Sequence, residues 1–255
     1  MWTDASTTSS TNHRLTRLRH AASVPGVTAS LTGLLLGVLV GLRHAFEPDH
    51  LTAVSTLVSE AKDGRRGALL GAIWGLGHTL SLVVVGIVLL AIGASLPEHI
   101  AAGFECAVSV MLILLGVRAI AVAVRTGGAG PVTPHRHGDV THAHTQAVAH
   151  VHVAGRAVAW RPLLVGLVHG LAGSGALTAL VFAKLPTPAL RIGYITLFGI
   201  GSVAGMAVAS GIAGASLHAV ARRPSTRRTL SVVTGAVSIV VGVLWAIPMV
   251  RVLLG

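Results

Sequence analysis

The sequence has a single cysteine, Cys106, few aromatic residues and only eight acidic ones among 255. Each scarcity removes a class of protein. One thiol allows no disulfide framework and no thiolate metal cluster within the chain. Aromatics at 4% offer no stacking platform for a nucleic acid. The formal charge of +11 does not point to one either, because the arginines stand singly or in pairs between apolar runs. Topology signals and anionic lipid account for such arginines better than a nucleic-acid partner does. A cleavable signal is also lacking. Residues 1–25 are rich in Ser, Thr and Arg, have no apolar core before Val24, and read as a mobile tail.

What is abundant is apolar length. Hydrophobic residues make up 53% of the chain, charged ones only 11%, and the mean hydropathy is +0.78. These values belong to a polytopic protein of the lipid bilayer. Glycine, at 31 residues, suits close helix packing in lipid. Apolar runs lie at 28–58, 68–95, 100–124, 159–183, 190–219 and 229–254. Each approaches or exceeds the roughly 20 residues a helix needs to cross the hydrocarbon. The expected fold is therefore all-α, with about six transmembrane helices.

A weak internal repeat divides the chain. Gly41-Leu42-Arg43-His44 returns as Gly166-Leu167-Val168-His169, Gly75-Leu76-Gly77-His78 as Gly199-Ile200-Gly201-Ser202, and Gly116-Val117 as Gly242-Val243. Three helices per half is an odd number, so the second half would insert upside down, the inverted pattern of many secondary transporters. The expected organisation is a tail over 1–27, a three-helix unit over 28–125, a loop over 126–158 and a second three-helix unit over 159–255. Lys62, Arg65, Arg66, Arg125, Arg136, Arg156, Arg161, Arg222, Arg223, Arg227 and Arg228 flank the loops of one side. By the positive-inside rule that side is cytoplasmic and both termini lie outside.

The chemistry concentrates in Arg43-His44-Ala45-Phe46-Glu47-Pro48-Asp49-His50, at the end of the first hydrophobic stretch. An ionisable residue inside a span costs about 2.5–3.5 kcal/mol on insertion scales and is a functional-site hypothesis by default. At about 100° per residue, His44, Asp49 and His50 point apart on an unbroken helix. Pro48 removes a backbone donor and clashes with the carbonyl of His44, and Glu47 before it is biased out of helical geometry. A break there lets His44, Asp49 and His50 converge on one ion. Imidazoles with a carboxylate suit Ni²⁺, Co²⁺ or Zn²⁺, and the absence of nearby thiols argues against Cu(I). Glu47 is a ligand, a proton acceptor or a partner of Arg43. His78 in the second run and His169 in the fourth are further candidates, with Gly173 and Gly175 loosening the fourth helix as Pro48 loosens the first. Glu105 and Cys106 read as interfacial or packing residues. The loop carries His135, His137, His142, His144, His150 and His152 as three H-x-H pairs. Residues two apart share a side of an extended chain, so each pair can offer two nitrogens to one ion as a flexible collector.

These motifs are similar to those of the nickel/cobalt transporter superfamily, most closely its compact UreH-like branch of urease accessory membrane proteins. The resemblance rests on the H-x-x-x-x-D-H signature from His44 to Asp49-His50, on Leu76-Gly77-His78-Thr79, and on the His-Gly-Leu-Ala-Gly-Ser run at 169–174. It implies His44, Asp49 and His50 in metal selection and transport, with His78 assisting. The expected function is transport of Ni²⁺, with Co²⁺ as the other candidate, by a multi-pass cell-membrane protein with no bound cofactor and no enzymatic activity. Export stands beside import, because related efflux proteins carry histidine-rich loops. Metal delivery to a maturing nickel enzyme such as urease is a third reading. A membrane metalloenzyme fits less well, since its clustered histidines would lie on one face near the membrane surface.

Overall fold

The computed structural model describes residues 25–58, 63–93, 96–127, 133–137, 140–144, 151–153, 156–158, 160–172, 185, 187–221 and 223–254. Among the described residues seven helices carry the architecture: α1 (Pro25–His44), α2 (Pro48–Val58), α3 (Gly64–Ile92), α4 (Glu98–Thr126), α5 (Trp160–Ala172), α6 (Pro188–Val220) and α7 (Pro224–Leu254). The expected tail lies almost wholly outside the described residues. Within the loop between α4 and α5 stand two short antiparallel hairpins, β1 (Thr133–His137) with β2 (Val140–His144), and β3 (Val151–Val153) with β4 (Arg156–Val158). They give part of the His-rich loop local β-pairing. Thr and Val recur along these segments, and Gly138-Asp139 is a pair that suits a two-residue hairpin connection.

The helix ends follow local chemistry. Asp63 caps α3 by accepting from the Arg66 backbone N–H at 2.7 Å, and Gly93 closes it in the left-handed region at φ 63°. Thr187 caps α6 by accepting from Leu190 N–H at 3.3 Å, with Pro188 at the first helical position. The first hydrophobic stretch breaks where its proline requires. Helix α1 ends at His44, the Phe46 and Glu47 N–H groups tighten onto the Arg43 and His44 carbonyls at 2.9 and 3.0 Å, and Pro48 opens α2. Proline is suited to that place because the first helical N–H has no intrahelical partner.

Among the described residues, helices α3, α4, α6 and α7 are the four long and apolar enough to cross a membrane, and the chain is a multi-pass membrane protein. The expected first and fourth spans are not continuous long helices among the described residues. One is divided into α1 and α2, and the other is described only as α5, its remainder with Gly173 and Gly175 lying outside the described residues. Large apolar side chains point outward, among them Leu39, Leu69, Leu114, Ile212 and Leu244. Lipid tails are as apolar as leucine, so burial of such groups does not drive helix association in a bilayer; close backbone packing does.

Small residues accordingly line the contacts. A side chain at Gly41 of α1 would strike the Phe198 carbonyl of α6 and crowd the Ser202 nitrogen. One at Gly166 of α5 would strike the Trp74 carbonyl of α3 and crowd the His78 nitrogen. Gly201 lies against Val38 just as Gly77 lies against Leu163. Helices α1 and α6 run in the same direction, as do α3 and α5. Between them α3 and α6 run antiparallel, with Gly67 on Ser210, Gly71 on Met206 and Gly75 on Val203. Antiparallel α4 and α7 meet through Gly116 on Gly235 and Gly242 on Ser109, and the Ser238 hydroxyl donates to the Leu112 carbonyl at 2.7 Å. The core at the centre contains Ala45, Ala53, Val54, Trp74, Leu112 and Met206.

Candidate metal centre

Four broken or glycine-lined helices bring their histidines to one place. His44 ends α1, Asp49 and His50 stand in the first turn of α2, His78 lies midway along α3 and His169 near the end of α5. The His44 and His50 rings are 4.4 Å apart between centroids, and His78 is 5.3 Å from each. His50 and His169 are 4.1 Å apart. His50, His78 and His169 are no more than 1% exposed, and Asp49 is buried as well.

Two overlapping groups result. Ligand atoms of His44, His50 and His78 lie within 4.8 Å of one another, and so do those of Asp49, His50 and His169. Hydrogen bonds give the groups different characters. Asp49 holds two rings, His50 through Nδ1 at 3.1 Å and His169 through Nε2 at 2.8 Å. A carboxylate only accepts, so both ring nitrogens donate. Glu47, on the exposed side of the turn, receives His44 Nδ1 at 2.9 Å. These bonds orient His44 and His50 with Nε2 left as a lone pair. The buried His50 Nε2, both nitrogens of His78 and His169 Nδ1 have no hydrogen-bond partner among the described residues. Leaving such groups unpaired in the interior costs about 1–3 kcal/mol each. Both groups thus hold such nitrogens, His50 Nε2 and the two of His78 in the first, His50 Nε2 and His169 Nδ1 in the second.

The geometry refines the sequence reading of single residues. Asp49 does not join His44 in one group; it stands behind His50 and ties it to His169, because the 45–47 turn redirects the chain before α2 begins. Glu47 partners His44 rather than Arg43. Glu105 is half-buried and hydrogen-bonds Trp245, and Cys106 is half-buried and free. The backbone register sets His135 opposite His142 and Thr133 opposite His144, His137 and His152 lie on β1 and β3, and His150 falls outside the described residues. Trp74 was not singled out from sequence. Its indole lies 5.5 Å from both His50 and His169 and walls the site. The signal was its place one helical turn before His78, on the same face of α3.

A curated relative covers nearly the same length. The urease accessory protein UreH of Bacillus sp. (strain TB-90) is 31% identical over 219 residues, spanning 84% of this chain and 90% of its own. The chain belongs to the UreH-like branch of the nickel/cobalt transporter superfamily. The UreH-like chain is also 24% identical over 233 residues to the chloroplast protein FOR GROWTH AND FERTILITY 1 of Arabidopsis thaliana, covering 87% of this chain and 60% of that protein. No family model and no solved structure matches.

Proposed function

We propose that this protein carries Ni²⁺, and Co²⁺ as its closest chemical alternative, across the cell membrane through the buried imidazole cluster, which sits at the interface of two inverted three-helix halves. The observation that carries the reading is the convergence of His44, His50 and His78, whose ligand atoms lie within 4.8 Å while buried nitrogens of His50 and His78 lack partners among the described residues. Imidazole nitrogens suit Ni²⁺ and Co²⁺. Asp49 and Glu47 act as the carboxylates that fix ring orientation and strengthen the ligand nitrogens. The ion sheds water as the nitrogens replace it.

The inverted halves are supported by matched contacts. The pair Gly41 with Phe198 and Ser202 corresponds to Gly166 with Trp74 and His78, and Gly201 with Val38 corresponds to Gly77 with Leu163. Because α1 runs with α6, α6 against α3 and α3 with α5, the equivalent helices α1 and α5 run in opposite directions. In such folds the substrate site lies at the repeat interface near the bilayer midplane, and rocking of one half against the other opens it to each side in turn. The loop histidines 135, 137, 142, 144, 150 and 152 gather metal on the cytoplasmic side under this reading.

Purified protein in liposomes should move Ni²⁺ down an imposed gradient, and His50→Ala should stop it. Equal flux in the variant would end the proposal. Stoichiometric nickel binding without flux would instead favour metal delivery to a maturing enzyme, a reading to which the urease accessory relative lends support.

A further inference from the structure

Ser202 stands inside α6 with no exposed surface, and its hydroxyl has no hydrogen-bond partner among the described residues. A helical serine or threonine ordinarily back-bonds to a carbonyl three or four residues earlier. Ser109 does so to Glu105 and Thr196 to Ile192. Ser202 makes no such bond. Ser210, the other orphan hydroxyl of α6, lies against Gly71 some two turns farther along.

The neighbours of Ser202 locate it. Its backbone nitrogen lies against Gly41, three residues before His44. Phe198, one turn earlier on α6, places its ring 5.3 Å from that of His44, and Gly205, one turn later, lies against Ala45. The same relation holds across the cluster for a ligand. The His78 nitrogen lies against Gly166, three residues before His169, and Trp74, one turn earlier, is 5.5 Å from His169. Ser202 is to His44 what His78 is to His169. Since His78 lies 5.3 Å from His44 and 6.2 Å from His169, the cluster straddles the line that relates the two.

We infer that Ser202 is a further member of the ion site, its hydroxyl anchoring a water molecule in the coordination shell of the transported ion on the side opposite His78. Serine is shorter than histidine by most of an imidazole ring, and a water completes the reach. Three imidazoles leave Ni²⁺ or Co²⁺ short of an octahedral shell, and an oxygen held by a fixed hydroxyl supplies a missing ligand. The inference rests on the reading of the imidazole cluster as the ion site.

The test uses full-length protein with the six loop histidines replaced by alanine, loaded with Co²⁺, whose visible absorption is weak when octahedral and strong when tetrahedral. Ser202→Ala, a near-isosteric change, should alter the position and intensity of that absorption and weaken Ni²⁺ binding roughly tenfold, the scale of an outer-shell loss. Ser202→Cys should add a thiolate-to-cobalt band in the near ultraviolet. An unchanged Co²⁺ spectrum in S202A, with or without weaker binding, overturns the inference. Co²⁺ binding that survives His50→Ala with serine in place overturns the imidazole-cluster reading, and the inference with it.

Discussion

The contacts around Gly41 and around Gly166 are alike in backbone and unlike in chemistry. Each glycine lets its helix close on a neighbour, α1 on α6 and α5 on α3, and an aromatic ring follows the contact in both places, Phe198 beside His44 and Trp74 beside His169. Beyond that frame the two regions part. The α1 side continues through a proline break into Asp49 and His50, and the α3 position that holds His78 corresponds to Ser202 on α6. Packing is shared while histidines and carboxylates are concentrated on one side. Such a division lets close backbone contact set the geometry twice and leaves the ion's preferences to a few side chains.

The largest expected effect comes from emptying the rich side. His50→Ala should abolish saturable Ni²⁺ transport, because His50 belongs to both ligand groups. Isotope flux in liposomes reads this directly. Next is the shared frame. Gly41→Val and Gly166→Val should each destabilise the folded protein by about 1–3 kcal/mol or more through overpacking against a backbone carbonyl. Thermal unfolding in detergent should show similar losses for both, and a large loss for one alone would deny their equivalence. Asp49→Asn comes third. It keeps the shape of the side chain but loses the anionic acceptor that ties His50 to His169, and should weaken metal affinity roughly 10–100-fold. Calorimetric Ni²⁺ titration measures it. The smallest effect belongs to the loop. Alanine at all six loop histidines should lower flux only when the metal is scarce and leave the maximal rate unchanged, as a dose-response curve would show.

Much of the site was legible in residues 43–50. Pro48 demands a break, and the break falls between His44 and Pro48 as its chemistry requires. The repeat nominated His169 and the Gly-His pair nominated His78, and both lie at the cluster. Legibility failed where direction depended on the turn. Asp49 was expected in one group with His44, and the course of residues 45–47 places it instead in a group with His50 and His169, whose rings its carboxylate bonds. Trp74 was hidden because an aromatic residue in an apolar run carries no signal of a polar neighbour. The hairpins were hidden because the histidine, glycine and proline content of the loop outweighed its few β-branched residues. Spans fared unevenly as well. Uniform hydrophobic runs became the long helices α3, α4, α6 and α7, whereas the run interrupted by polar residues became one helix of 20 residues and one of 11.

The most direct test of the central claim is X-ray absorption on Ni²⁺-loaded protein whose six loop histidines are alanine. Imidazole scattering around a nickel with about three nitrogen ligands, lost together with the bound metal on His50→Ala, is the result this account predicts. Nickel bound without imidazole, or bound unchanged in that variant, would contradict it.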